Sequence, residues 1–495
     1  MKPNIILIIE DQKRYPPPYE LSDEYTMFLR DVFLQGDKFL SKNGVNFTNH
    51  QTEATACTPS RASIFLGQPM FVHGLDKTYG FDKRHDDKKI KWLTPNVSYK
   101  TLGSVMREQG YDTYYVGKWH ISESESLEEF GFSGWIGPEP HGTGIENSGL
   151  KRDPEFIDDA IELINNRIHI HNKKNIPFLL VLSLVNPHDI VLYPKFYIMN
   201  KLKDLAKSNF DFPDAPDTDD ISTIAKMYSK KYETLMVPVW LHRIIFQDKK
   251  LIKNFYFDML IEGDTQKKRF LDFFMKTDYY QNTFIITTAD HGEMLFSKNM
   301  LQKFYSAYRE AIHVPFIIHH HTIKKFKYDL LTSSLDIFPT VLGLCGLKIS
   351  DDLYGRDLSN IIFDVINKKT YEYTKEDKEY SIIFETNDDI FEGDNSFPLY
   401  YLAMFPLLRK WTINLLGQNE PLTCPKYIKM LMSYENNKLF KLTRYCLENK
   451  EEWELFDITE DPNELKNIYS HKDYRVIMNK LRIKMIQKFT PKELL

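Results

Sequence analysis

Asn4-Ile5-Ile6-Leu7-Ile8-Ile9-Glu10-Asp11-Gln12 decides the fold: an apolar, β-branched run stops abruptly at charged and amide side chains. The same pattern recurs down the chain. Thr113–Val116 leads into Gly117-Lys118-Trp119-His120, Phe178–Leu184 into Asn186-Pro187-His188-Asp189, and Thr283–Thr287 into Asp290-His291-Gly292-Glu293. Short apolar runs bounded by turn residues fit strands buried on both faces of a mostly parallel sheet. Helical periodicity fills the intervals, at Leu102–Gln109, Phe156–Ile170 and Phe255–Phe274. Alternating strand and helix predict an α/β sheet with helices on both faces. In open sheets of this kind ligands bind beyond the carboxyl ends of the strands. Every polar cluster falls at such an end, so the clusters are expected to converge.

The bulk numbers narrow the class. With 495 residues, 42% hydrophobic and 27% charged, the chain has a globular composition and room for a large domain plus a smaller one. A net charge of −5 carries no nucleic-acid footprint. Four scattered cysteines, Cys57, Cys345, Cys424 and Cys446, form neither a disulfide framework nor a Cys-x-x-Cys metal site. The run Ile5–Ile9 is cut off by Glu10 and Asp11, too soon for a signal peptide or a membrane span, and no later uncharged segment reaches spanning length. The expected location is cytoplasmic. Nothing in the sequence fixes an oligomeric state.

Residues 1–367 are expected to form the main α/β domain, with a variable insertion at 192–253. The proline-broken loop Asp211-Phe212-Pro213-Asp214-Ala215-Pro216-Asp217 in that insertion reads as a solvated surface element that can shape substrate choice. A charged stretch, Lys368–Lys378, reads as a linker or exposed turn. Residues 368–495 are expected to form a smaller α+β domain, with strands at Ser381–Phe384 and Lys410–Leu415 and a helix over Tyr474–Phe489.

In Cys57-Thr58-Pro59-Ser60-Arg61, Pro59 suits a first helical turn, so Pro59–Leu66 is predicted helical with Cys57 at its positive end. Free backbone N–H groups there favour an oxyanion, and Arg61 adds a planar donor fork. A lone cysteine is ordinarily a small buried hydrophobe, and an activated thiolate is the other elementary option. The local signatures of Cys-His proteases are absent.

The whole run, Cys57 with Pro59, Ser60 and Arg61, resembles the Cys-x-Pro-Ser-Arg signature of formylglycine-dependent sulfatases of the alkaline-phosphatase superfamily. Gly110-Tyr111-Asp112-Thr113 with Gly117-Lys118-Trp119-His120 resembles the second signature of that family. Lys303, Glu310-Ala311-Ile312, Gly355-Arg356-Asp357-Leu358 and Glu454-Leu455-Phe456-Asp457 follow in family order, so the likeness runs from residue 3 to about 468. It implies an alkaline-phosphatase-like fold and oxidation of Cys57 to formylglycine by a formylglycine-generating enzyme. It also implies one divalent metal held by Asp11, Gln12, Cys57, Asp290 and His291. Asp11-Gln12 and Asp290-His291 depart from the commoner Asp-Asp and Asp-Asn pairs and look more like those of choline sulfatases and phosphonate monoester hydrolases. Ca²⁺ is the family default; one carboxylate fewer and an imidazole more move the donor set toward Mn²⁺, with Mg²⁺ a further option.

The resemblance also implies a division of labour on a small sulfate ester. The hydrated aldehyde at position 57 attacks sulfur, while Lys118, Arg61 and Lys303 neutralise the sulfuryl oxygens. His188, with Lys303, protonates the leaving alcohol, and His120 takes the proton whose loss expels sulfate. Two rival readings remain: a phosphonate monoester or phosphodiester hydrolase on the same scaffold, and an inert binding protein with unmodified Cys57. Trp119 reads as packing, and His319-His320-His321 as a strand end rather than a ligand cluster.

Overall fold

The structure, a computed structural model, describes residues 2–78, 91–94, 99–135, 137, 139, 145–169, 176–200, 202–226, 246–303, 306–369, 371–388, 427–447 and 450–491. The strands of its first part are β1 (Asn4–Glu10), β2 (Gly44–Phe47), β3 (His50–Gln51), β4 (Asp112–Gly117), β5 (Phe178–Leu184), β6 (Thr283–Ala289), β7 (Phe316–His319), β8 (Phe326–Tyr328) and β9 (Thr332–Ser333). Seven of them form one sheet in the order β4-β5-β1-β6-β7-β2-β8, and β3 pairs with β9. The pairs β4–β5, β5–β1 and β1–β6 are parallel, while β7 runs against both of its neighbours. This is the mostly parallel α/β sheet that the strand–helix alternation predicts.

Side-chain alternation along β1 builds both cores. Ile5, Leu7 and Ile9 pack with Ala62, Ile64, Phe65 and Leu66 of the Cys57–Leu66 helix. Ile6 and Ile8 face the other way, onto Phe156, Ile157 and Ala160 of the Gly149–His169 helix and Phe270, Leu271 and Phe274 of the Lys249–Phe274 helix. Every residue of β1 is buried, which is why the strand reads as a continuous apolar run.

Register decides what leaves the sheet together. Glu10 lies opposite both Leu184 and Ala289, and Gly117 opposite Ser183. The segments after β1, β4, β5 and β6 therefore emerge side by side, carrying Asp11, Lys118, His188 and Asp290. Glu10 itself turns to the opposite face, where it meets Lys13 at 2.9 Å and Lys267 at 2.8 Å.

A second, antiparallel sheet follows, in the order β10-β11-β12-β13: β10 (Ser381–Thr386), β11 (Tyr427–Glu435), β12 (Lys438–Cys446) and β13 (Glu451–Asp457). The Arg475–Lys488 helix covers one face through Leu481 and Met485. The other face shares a core with Tyr308, Ala311 and Ile312 of the main unit.

Element ends depart from the sequence expectations for identifiable reasons. The helix expected over Phe156–Ile170 starts at Gly149, because the Asp189 carboxylate accepts from the N–H groups of Gly149 and Leu150, both at 3.0 Å. The helix expected from Phe255 starts at Lys249 behind an Asp248 cap. Within the charged stretch, Lys375–Glu379 is helical behind a Thr374–Asp377 capping box rather than a plain linker. Asp211 and Asp214 lie at the surface, paired with Lys250 at 2.5 Å and Lys253 at 2.6 Å. The strand expected at Lys410–Leu415, Cys424 and part of the 192–253 insertion fall outside the described residues. Among the described residues no helix is long and apolar enough to cross a membrane.

Gly117 allows the approach of β4 to β5 on which Lys118 depends. Its φ is +105°, and a Cβ there would stand 2.0 Å from the Ser183 carbonyl oxygen. Gly110 has a φ of +85° but nothing within 4 Å of a Cβ position. Gly117→Ala is expected to cost about 2–3 kcal/mol. Gly110→Ala should cost about 1–2 kcal/mol, the left-handed penalty alone. Denaturant midpoints of the two variants check the difference.

Candidate active site

Cys57 opens a ten-residue helix whose residues are all buried. Ala56 before it is extended, Pro59 sits in the first turn where an N–H would lack an intrahelical partner, and Gly67 closes the helix in the left-handed region at φ 63°. The helix begins where the ends of β1 and β6 converge. Thr58 ties it down: its N–H donates to Thr78 Oγ1 at 3.2 Å, and its hydroxyl donates to the His120 carbonyl at 2.8 Å.

Asp11, Cys57, Asp290 and His291 each bring a ligand atom to within 4.8 Å of the others, the one such group among the described residues. His291 Nε2 lies 3.1 Å from Cys57 Sγ, 3.5 Å from Asp11 Oδ1 and 3.6 Å from Asp290 Oδ1. Its Nδ1 faces the Gly292 carbonyl at 3.2 Å, which assigns the proton to Nδ1 and leaves the Nε2 lone pair toward the cluster. Burial, then Lys303, holds the imidazole well below its usual pKa and therefore neutral. Two buried carboxylates and a neutral imidazole facing one point fit a divalent cation such as Ca²⁺, Mn²⁺ or Mg²⁺.

Buried cations surround the carboxylates. Lys118 Nζ donates to Asp11 Oδ2 at 2.5 Å, and Lys303 Nζ donates to Gln12 Oε1 at 2.9 Å and Cys57 Sγ at 3.3 Å. Burial raises the pKa of Asp11, but Lys118, His188 and Arg61 outweigh it and hold the carboxyl well below its usual range. Asp290 is pushed up to about 6 by burial and by the charge of Asp11. Burial and Asp11 also push the Cys57 thiol up to about 11, so an unmodified Cys57 is a thiol at neutral pH rather than a nucleophilic thiolate.

Arg61 does something the sequence did not suggest. Its Nε donates to Asp290 Oδ2 at 2.8 Å and its Nη2 to Asp11 Oδ2 at 3.2 Å, while Nη1 donates to the Lys118 carbonyl at 2.7 Å and to Ser183 Oγ at 2.9 Å. The fork expected to meet a substrate anion instead holds the two carboxylates and the strand ends in place. Ser60 works beside it, donating to the Asp290 carbonyl at 2.5 Å, as Thr52 does at 2.6 Å.

The histidines differ in setting. His120 is buried with φ +62°, and the Glu139 carboxylate accepts from its N–H at 3.0 Å and from that of Trp119 at 3.1 Å. Glu139 lacks any local motif, so only the fold reveals this role. His188 is half-buried at the start of a 3₁₀ turn, close enough to Asp11 to lower its pKa. A reciprocal clamp holds its loop: Asp153 accepts from the N–H groups of Val185 at 2.6 Å and Asn186 at 2.9 Å, while Asp189 caps the helix that carries Asp153. Trp119 is core, against Phe65, Tyr115, Phe130 and Phe132. His319 is bound to the Asn43 carbonyl at 2.6 Å and Tyr280 at 3.0 Å, away from the cluster.

A mostly parallel sheet with an acid–imidazole cluster at its strand ends is the architecture of the alkaline-phosphatase-like α/β class. The sulfatase family model matches residues 3–347, well over half of the chain, and the chain belongs to the sulfatase family. A second model, N-sulphoglucosamine sulphohydrolase, C-terminal, matches residues 429–490. Arylsulfatase K of Mus musculus is 25% identical over 393 residues, covering 73% of this chain and 64% of its own length. The chain thus spans less than two thirds of the length of that relative. Among solved structures, a 2-O GAG sulfatase superposes with TM-score 0.69 at 20% identity, covering 100% of this chain and 94% of the other. The phosphonate monoester hydrolase of Agrobacterium radiobacter gives TM-score 0.65 at 17% identity, covering 98% and 95%.

Removing Arg61 would leave Asp11 and Asp290 buried without their bridge. Arg61→Met is expected to cost about 3–5 kcal/mol, as for a buried pair stripped of one partner. Urea unfolding checks it; a loss below about 1 kcal/mol would mean that Lys118 and Lys303 suffice.

Proposed function

We propose that this chain is a metal-dependent hydrolase of sulfate monoesters whose nucleophile is a formylglycine made from Cys57. The observation that carries the reading is the setting of Cys57. It heads a buried helix, touches Lys303 and His291, and stands beside two carboxylates that disfavour its thiolate. Such surroundings suppress a cysteine nucleophile and suit a neutral oxygen group whose pKa a nearby cation lowers. Cys57 is only 1% exposed, which favours oxidation by a formylglycine-generating enzyme before the chain closes.

A divalent cation at Asp11, Asp290 and His291, with Gln12 and position 57 completing the set, would supply Lewis-acid polarisation and a lowered hydroxyl pKa. The residues of the chain divide the remaining work. Lys118 and Lys303 set positive charge beside position 57, where sulfuryl oxygens would lie. His188, half-buried, would protonate a leaving alcohol. His120, whose backbone is locked by Glu139 and Thr58, would take a proton from the group at position 57. Arg61 keeps the carboxylates apart and aimed.

The same scaffold acting on phosphonate monoesters or phosphodiesters is favoured by one observation, the pairing of Gln12 and His291 with Asp11 and Asp290. Kinetics on matched aryl sulfate, aryl phosphonate and phosphodiester substrates separate the readings. The sulfate is expected to lead in kcat/KM by at least about tenfold, one step of 1.4 kcal/mol in transition-state stabilisation. Peptide mass spectrometry on active protein should show the aldehyde at position 57; full activity with only the thiol present would overturn the proposal. Stripping the protein with a chelator should lower kcat by about 10²-fold or more, and Ca²⁺, Mn²⁺ or Mg²⁺ should restore it.

A further inference from the structure

Gln12 has chemically opposite ends on its amide, and its surroundings permit one orientation. The backbone is fixed on both sides: its N–H donates to Asp290 Oδ1 at 3.1 Å, and its carbonyl accepts from the Tyr256 hydroxyl at 2.9 Å. Its Nε2 donates to Glu293 Oε2 at 2.5 Å and to Gln302 Oε1 at 3.1 Å, while Oε1 accepts from Lys303 Nζ at 2.9 Å. Turning the amide over would set N–H groups against an ammonium and an oxygen against a carboxylate, so both charged contacts would become repulsive. Glu293 cannot swing away, because its Oε1 accepts from the N–H groups of Leu295 at 3.0 Å and Gln302 at 2.7 Å.

We infer that Glu293, assisted by Gln302, is a positioning residue that turns the oxygen of the Gln12 amide, and not its nitrogen, toward the Lys303–Cys57 side of the site. This rests on the proposed cation site, for which Gln12 then offers an oxygen donor. Metal ligands commonly depend on such outer partners, whose loss weakens binding about 10–100-fold. The carboxylate that supplies the orientation lies outside the cluster, so it directs Gln12 without adding a third acid to Asp11 and Asp290.

Glu293→Gln is the decisive variant. Its Oε1 must still accept two backbone N–H groups, so its new NH₂ faces the Gln12 NH₂ and removes the acceptor that holds that amide in place. Mn²⁺ binding to chelator-treated full-length protein, measured by calorimetry, should weaken about 10–100-fold with the circular dichroism unchanged. The exchanged pair Gln12→Glu with Glu293→Gln again presents an oxygen toward Lys303 and should return binding to within about threefold of wild type. Should Glu293→Gln not fold, Gln302→Met removes the second acceptor and should weaken Mn²⁺ binding by about threefold or more. Wild-type affinity in Glu293→Gln, or an exchanged pair as weak as the single variant, overturns the inference. Wild-type protein that binds no divalent cation overturns the cation reading first, and this inference with it.

Discussion

The guanidinium of Arg61 is the constraint on which the site depends. It joins two carboxylates that arrive from different strands, Asp11 after β1 and Asp290 after β6, and anchors itself on Lys118 and Ser183 beside them. Like charges brought together away from water repel strongly, and burial penalises each separately. A planar donor fork with a permanent charge can satisfy both at once. Lys118 and Lys303 add two further buried cations beside these carboxylates.

The scaffold reaches this balance by fixing backbone before side chain. Parallel register brings the strand ends level, and Gly117 lets β4 come close enough to β5 for Lys118 to enter. Acids that no reaction step requires then fasten the loops. Glu139 holds the left-handed His120, Asp153 and Asp189 clamp the loop of His188, and Glu293 orients Gln12. Each accepts N–H groups that would otherwise be buried without partners.

Much of the fold could be read from β1 alone, because a strand buried on both faces must be apolar throughout and must stop where its chemistry starts. The convergence of Asp11, Lys118, His188 and Asp290 followed from the topology that such strands impose. The task of Arg61 could not be read, because a donor fork near a nucleophile suggests an anion clamp until the carboxylates are seen to occupy it. Glu139 and Asp153 carry no signal of their own, and Asp189 is marked only by the cluster around His188, with nothing to show that it caps a helix some forty residues earlier. The early start of the Gly149–His169 helix was hidden for the same reason, since its cap comes from Asp189, far along the chain.

By itself the sequence determined the sheet, the family and which side chains could do chemistry, because periodicity and short motifs are local properties of the chain. The tertiary structure alone decided how those side chains share their charges. Which acid is depressed, which is raised, where the Arg61 fork points and which way the Gln12 amide faces all depend on distances between segments hundreds of residues apart. Electrostatic interaction and hydrogen bonding in a buried site are set by those distances, and no local pattern encodes them.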